Sequence, residues 1–155
     1  MKKLLLLICF LQCTHSFSQD LATLKWWSPT QYKSHVIEGQ AWPDEVKSTY
    51  DRLPARAEGN VADDVWSLSS HSAGLMIRFR SNTKKIIVRY ETKNKDNYAM
   101  DHMPATGVSG IDLYAIDSDG KELWCAGTRS FSDTITYRFQ GLRANDTYHE
   151  KGREY

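Results

Sequence analysis

Three segments of this chain alternate apolar and polar residues with a period of two, which constrains the fold more than any other feature. They are residues 74–80, 85–91 and 134–139. Because successive side chains of a β-strand point to opposite faces, the pattern predicts strands that bury one face against a core. The side chains predicted to face inward are Leu75, Ile77, Phe79, Ile86, Val88, Tyr90, Ile135, Tyr137 and Phe139.

Two further apolar runs, residues 111–116 and 122–126, flank a predicted turn at Asp117-Ser118-Asp119-Gly120. An Asp-Gly pair accepts the positive φ of tight hairpin turns, so the two runs are predicted to pair as a β-hairpin. Helical periodicity is scarce, although residues 44–50 fit a turn or two. Short strands at this spacing are typical of an all-β, jelly-roll-like antiparallel β-sandwich.

Length and composition indicate one globular domain. The chain has 155 residues, of which 41% are hydrophobic and 25% charged, and this excludes disorder for most of it. The formal charge of +1 gives no basic excess for binding nucleic acid and no polybasic segment for a membrane surface.

The N-terminus has the pattern of a secretory signal peptide. Lys2 and Lys3 precede the apolar run 4–11, and a polar stretch ends in Ser16-Phe17-Ser18. We interpret residues 1–18 as the signal peptide, cut before Gln19, and residues 19–155 as the mature domain. Eight apolar residues are too few to span a bilayer, which takes ~20 in a helix, so no membrane span is expected.

The mature chain offers little for metal or thiol chemistry. Cys125 is its one cysteine, which excludes an internal disulfide, and its apolar surroundings predict a small buried side chain. The histidines are spaced too far apart in sequence to suggest a metal pair, so no metal and no cofactor are expected. They are His35, His71, His102 and His149.

No set of catalytic residues is predicted either. A serine hydrolase needs a nucleophile on a sharp turn, and the chain contains neither Gly-x-Ser-x-Gly nor Gly-Asp-Ser. Asp146 and His149 have the Asp-x-x-His spacing of some esterases, but we interpret it as incidental without that nucleophile. Asp63 and Asp64, taken as neighbours on a strand, would point to opposite faces and so form no acid–base pair.

Two roles are open for the five tryptophans. Together with eight tyrosines they would suit a sugar-stacking platform. For any single tryptophan in a short strand, filling the core is the more frequent role. Trp26 and Trp27 lie outside any clear strand, where packing against another domain is an alternative.

Residues 102–114 are more specific than strand propensity explains. Gly110-Ile111-Asp112-Leu113-Tyr114 resembles the Gly-x-Asp-Leu-Tyr signature of the N-terminal domain of certain bacterial SGNH-type (GDSL-like) esterases. Residues 38–42, 50–57 and 65–75 also look like this family, and the likeness runs from about residue 27 to residue 155.

This resemblance implies a non-catalytic sandwich that precedes an α/β SGNH hydrolase domain. That partner domain carries the serine nucleophile, the oxyanion donors and the Asp-x-x-His pair, and its reaction is ester hydrolysis, with acyl groups on a saccharide as one candidate substrate. A bacterial protein of this kind is expected in the periplasm or outside the cell. Residues 153–155 look like the start of a strand that the family continues, so we expect the sandwich to lack its last strand or strands, leaving an unpaired sheet edge.

The resemblance also directs attention to the loop before the signature, where Pro104 and Gly107 are expected to fix an irregular backbone. We expect this loop to face the active site or the domain interface; an independent carbohydrate-binding module and a structural spacer are the alternatives. For Asp112, an alternative role is to hold the loop by accepting backbone N–H bonds. The candidate loop residues are Asp101, His102, Met103, Pro104, Thr106 and Ser109, and the motif residues are Gly110, Asp112, Leu113 and Tyr114.

Overall fold

The computed structural model describes residues 24–31, 36–93, 95, 97–143 and 152–155. They form two compact units. The first contains the described residues up to Val36 together with Gln40–Ser72, and the second contains Ile37–Gly39 and the described residues from Ala73 to Tyr155. No helix in these ranges is long and apolar enough to cross a membrane. Asp146, His149 and the predicted signal peptide lie outside the described residues.

Short helical segments make up most of the regular structure of the first unit. Helix α1 spans Asp63–Ser69, and 3₁₀ turns span Pro29–Gln31, Pro43–Glu45 and Ala55–Ala57. The assignment of Asp63 and Asp64 to a strand is therefore wrong, since both lie in the first turn of α1. Carboxylates are favourable there because the free backbone N–H groups make a helix N-terminus electropositive.

The segment before α1 is less helical than predicted. Within residues 44–50 the 3₁₀ turn ends at Glu45, and Val46 then forms an extended bridge with Pro54. The buried Asp51 holds the intervening loop, because its Oδ2 accepts the backbone N–H of Ser48 at 3.0 Å. This side-chain bond competes with continued helix, which explains the early end of the helical turn.

The second unit is built from antiparallel strands and one helical turn. The elements are β1 (Ile37–Glu38), β2 (Met76–Ile77), β3 (Arg80–Ser81), β4 (Lys85–Tyr90), α2 (Ala105–Val108), β5 (Tyr114–Ile116), β6 (Glu122–Trp124), β7 (Gly127–Ser130), β8 (Ile135–Gln140) and β9 (Arg153–Glu154). Strand β1 pairs with β2, β3 with β9, β5 with β6, and β8 lies between β4 and β7. This arrangement confirms the predicted all-β, sandwich-like class.

The core lies on one face of the central strand β8. Its Ile135, Tyr137 and Phe139 are buried, as the alternation predicts, and they pair in register with the inward side chains of β4. Other buried apolar members of the cluster come from β5, the residue before it, and the residue after β9. They are Leu113, Ala115 and Tyr155.

The strand predicted over residues 74–80 is divided in two. Strand β2 pairs with β1, and β3 pairs with β9, with Arg78 and Phe79 between them. Phe79 still exchanges two backbone hydrogen bonds with Tyr155, at 3.0 and 2.9 Å. The burial alternation survives the division, because Ile77 and Phe79 are half-buried while Arg78 and Arg80 are exposed.

The predicted hairpin is confirmed by strands β5 and β6, which pair antiparallel. Its turn is held by Asp117, whose Oδ1 accepts the backbone N–H groups of Asp119 and Lys121 at 3.0 and 2.8 Å. Gly120 has φ of 78°, the left-handed conformation that was predicted for this turn and that glycine adopts without strain. The turn therefore fixes the register that places Trp124 opposite Tyr114.

Strand β9 lies within residues 153–155, where the start of a strand was predicted. Besides pairing with β3, β9 is held by Glu154, which accepts bonds from Arg80 at 2.9 Å and from Arg78 at 3.4 Å. Tyr155 is buried and stacks on Phe79 with ring centroids 5.6 Å apart. This segment is thus part of the core of the second unit.

Candidate functional site

The Gly-x-Asp-Leu-Tyr segment alternates between the core and the surface. Leu113 is buried, whereas Asp112 and Tyr114 are exposed on the other face. The carbonyl of Leu113 accepts the backbone N–H of Cys125 at 2.8 Å, which extends the hairpin ladder one step beyond β5 and β6. The signature therefore anchors one side chain in the core and presents two others outward.

The glycine of the signature is required by close packing. A Cβ atom at Gly110 would lie 2.2 Å from the backbone oxygen of Thr106 and 2.7 Å from the hydroxyl of Tyr137. Both distances are far below van der Waals contact. Gly110 thus lets helix α2 lie directly against the start of the hairpin.

Asp112 fixes an exposed tryptophan. The indole Nε1–H of Trp124 donates to Asp112 Oδ1 at 3.1 Å. The role considered for Asp112, accepting backbone N–H bonds, is not the one observed, because its hydrogen-bond donor is this indole. Trp124 lies directly across the hairpin from Tyr114, and the two residues are 61% and 42% exposed. They form a pair of adjacent aromatic side chains facing away from the core.

A cleft of about 310 Å³ opens between this hairpin and strand β7. The floor of the cleft is formed by Tyr137 and Phe139 of β8. Both of these side chains are buried, at 5% and 2% exposure, and Gly127 packs directly on the ring of Phe139, where a Cβ would lie 2.7 Å away. The walls of the cleft carry one carboxylate, Asp112, and one guanidinium, Arg129. The remaining lining residues are Thr106, Ile111, Trp124 and Cys125.

The loop before the signature is more regular than predicted. Helix α2 forms one turn directly after Pro104, and Met100 and Met103 exchange two backbone hydrogen bonds at 2.9 and 3.0 Å. The hydroxyl of Tyr90 donates to the carbonyl of Ser109 at 2.5 Å. Burial, and then the neighbouring Tyr137, raise the pKa of Tyr90 well above its ordinary value, so the phenol stays protonated as this donor.

The predicted loop residues do not all meet at one site. Thr106 lines the cleft together with Asp112, and Ser109 is half-buried beside Tyr90. The other four candidates are exposed and are not part of the cleft lining. They are Asp101, His102, Met103 and Pro104.

Sequence reasoning missed the strongest members of the cleft, Trp124 and Arg129. The position of Trp124 could have been predicted from the hairpin, because pairing residues outward from the Asp-Gly turn places Trp124 opposite Tyr114. Arg129 had no such signal, since β7 is a polar strand without apolar alternation.

Burial also corrects the expected role of the tryptophans. Trp124 lies in strand β6 and is 61% exposed, so the core-filling role is wrong for it. Trp26, Trp27 and Trp42 lie outside the strands and are between 42% and 48% exposed. In the first unit the guanidinium of Arg56 lies 4.7 Å from the ring centroid of Trp42. Trp66 is half-buried.

Cys125 is half-buried at the cleft, with its Sγ 3.6 Å from the carbonyl of Leu123. Partial burial raises the pKa of its thiol, so it remains protonated near neutral pH. The side chain predicted to be buried is thus only half-buried. Within the described ranges, no three His, Cys, Asp or Glu side chains cluster in a way that would hold a metal ion.

The chain matches the GxDLY family model, described as the N-terminus of SGNH hydrolase-type esterases, over residues 24–155. The chain belongs to the GxDLY family. The resemblance inferred from residues 110–114 is therefore confirmed, and this GxDLY chain is an N-terminal domain of SGNH-type esterases. Searches of curated proteins and of solved structures found no match.

Proposed function

We propose that this GxDLY domain is a non-catalytic accessory domain of an exported esterase. It packs on the SGNH hydrolase domain of the same protein and helps to shape the mouth of the active site. The observation that carries the proposal is the signature itself. It holds Asp112 and Trp124 in a defined arrangement beside an open cleft, although neither side chain is needed to fill the core.

Exposed apolar side chains support a docking role. They occur on the loop before the signature and on the hairpin that follows it, and they are between 39% and 61% exposed. Tyr114 and Trp124 are neighbours across the hairpin, and adjacent exposed apolar side chains are typical of surfaces that contact another domain. The residues are Met100, Met103, Tyr114, Leu123 and Trp124.

Under this proposal the hydrolase domain supplies the serine nucleophile, the oxyanion donors and the acid–base pair. The GxDLY domain supplies a wall of the substrate site. Residues 1–18 would direct the protein to the periplasm or the medium, and an acylated saccharide is the substrate class that we favour.

Kinetics of an esterase containing both domains test this role. We expect Met103→Ser together with Tyr114→Ser to raise KM for an acetylated xylo-oligosaccharide several-fold, because the wall that contacts the larger substrate is altered. Hydrolysis of p-nitrophenyl acetate should change much less. Met76→Ser is the matched control, because Met76 is 51% exposed but lies on β2 rather than on the signature or the loop before it. Unchanged kinetics with an unchanged melting temperature in the double variant would refute the proposal.

A second function, carbohydrate binding by exposed aromatic side chains, is favoured by one observation. Trp124 and Tyr114 are adjacent across β5 and β6 and are both exposed. Aromatic faces of this kind stack on the apolar faces of sugars. Electrophoresis of the full chain through gels containing xylan, glucomannan or β-glucan tests it, and unretarded migration in all three gels would count against it.

A further inference from the structure

We propose that the cleft beside the signature binds one neutral sugar unit of a polysaccharide. Trp124 is the stacking platform, and Asp112 and Arg129 are the hydrogen-bonding side chains. This site deepens the second function above and rests on it. It names the residues, the ligand class and the number of sugar units that are in direct contact.

The size of the cleft limits the ligand. Small-molecule sites in proteins usually range from ~300 to 1,000 Å³. At about 310 Å³ the cleft is at the lower end of that range, which suits a single pyranose ring. The remainder of a polysaccharide would extend into solvent on either side.

Trp124 is prepared for stacking in a way that Trp42 is not. Its Nε1–H is bonded to Asp112, so the indole orientation is fixed before any ligand arrives, which lowers the entropic cost of binding. With 61% of the residue exposed, the ring remains available to a ligand. Trp42 is also exposed, but the guanidinium of Arg56 already lies over its ring.

The charges in the cleft favour a neutral polyol. Asp112 has acceptor sites beyond the one used by Trp124, and Arg129 offers up to five N–H donors. Within the described part of the chain, neither side chain forms an ion pair, although both line the same cleft. Sugar hydroxyls both donate and accept, so they satisfy the two groups together. Asp112 and Arg129 together give the cleft no net charge, so an anion or a cation is attracted by one of these side chains and repelled by the other.

The base of the cleft is closed by the core. Tyr137 and Phe139 are only 5% and 2% exposed, so the contacts with a ligand come from the walls. The hydroxyl of Thr106 adds a further donor and acceptor at the rim. An apolar base with a few polar groups at the sides is the usual composition of a small-molecule site.

The test is titration of the full chain with xylohexaose, cellohexaose, mannohexaose and, as an anionic comparison, hexagalacturonate. Nuclear magnetic resonance follows the Trp124 indole N–H, and calorimetry gives the affinity. We expect a neutral oligosaccharide to bind with Kd of about 1 mM, since one ring and a shallow cleft provide few contacts. Trp124→Ala should weaken binding by ~10-fold or more and Arg129→Gln by several-fold, whereas Trp42→Ala should leave Kd unchanged.

Three results would overturn the assignment. One is the absence of any shift of the Trp124 indole resonance with each neutral oligosaccharide at about 10 mM, well above the expected Kd. Another is an affinity that either Trp124→Ala or Arg129→Gln leaves unchanged; if Trp124→Ala does not fold, Arg129→Gln alone decides. The third is tighter binding of hexagalacturonate than of every neutral oligomer. Retardation in the polysaccharide gels that survives both substitutions would refute this site while leaving carbohydrate binding intact.

Discussion

Replacing Gly110 with alanine should destabilise the second unit more than the same replacement at an exposed turn, such as Gly120. The new Cβ would lie 2.2 Å from the backbone oxygen of Thr106, and 2.7 Å from the hydroxyl of Tyr137. A side chain can rotate away from such a contact, but a backbone carbonyl moves only with its segment. Helix α2 would therefore have to separate from the start of the hairpin.

The magnitude follows from this geometry. Overpacking a closely packed site usually costs ~1–3 kcal/mol, and a contact with backbone belongs in the upper half of that range, so we expect about 2–3 kcal/mol. For a chain of this length, a change of ~1 kcal/mol lowers the melting temperature by ~3 °C, so Gly110→Ala should lower it by about 6–9 °C.

Urea unfolding of the full chain, followed by far-ultraviolet circular dichroism, gives the free energy directly. Gly120→Ala is the matched control, because Gly120 has positive φ but no atom within 4 Å of an added Cβ. Its expected cost is the conformational term alone, about 1 kcal/mol. The double variant Gly110→Ala, Tyr137→Phe should recover only part of the loss, since the carbonyl contact remains. A Gly110→Ala cost no larger than that of Gly120→Ala would refute the packing argument.

Three other predictions concern different parts of the second unit. Contacts with Arg80 and Arg78 lower the pKa of Glu154, so its stabilising contribution is present above pH ~4.5 and is lost as pH falls through the lower, folded pKa. The urea midpoints measured at about pH 6 and pH 3 should therefore differ less in Glu154→Gln than in the control Glu122→Gln. An equal pH dependence of the two variants would contradict this. Tyr90→Phe removes the donor to the Ser109 carbonyl and should cost ~1 kcal/mol, whereas Tyr114→Phe, at an exposed position, should cost almost nothing. Ile135→Ala, at a fully buried position, should cost ~2–5 kcal/mol in urea unfolding, and a cost below ~1 kcal/mol would show that the side chain is not in a packed core.

The sequence pattern predicted those parts of the fold that depend on neighbouring residues, namely the buried face of a strand and a tight turn. Alternation identified the buried face of β8, because a strand with one face in the core must repeat every two residues. The Asp-Gly turn predicted the hairpin, because few residue pairs adopt the required backbone conformation. In the same way, the signature residues identified the family over most of the chain.

Other features depend on contacts that no local pattern contains. Helix α1 has only seven residues, fewer than the window of about 11–18 residues in which a helical period is recognised. The division at Arg78 and Phe79 results from pairing with Tyr155, far along the chain. The cleft likewise combines Thr106 from α2, Trp124 from β6 and Arg129 from β7, so its composition follows from the tertiary arrangement.

The pairing of β3 with β9 has a consequence for the protein during its synthesis. Arg80 and Glu154 are 74 positions apart, and at ~5–20 residues per second a ribosome needs about 4–15 s to make the chain between them. During that interval Phe79 lacks Tyr155, the aromatic ring on which it stacks. A nascent chain would therefore expose this strand edge until its partner is made, and a chaperone bound there would have a defined interval in which to act.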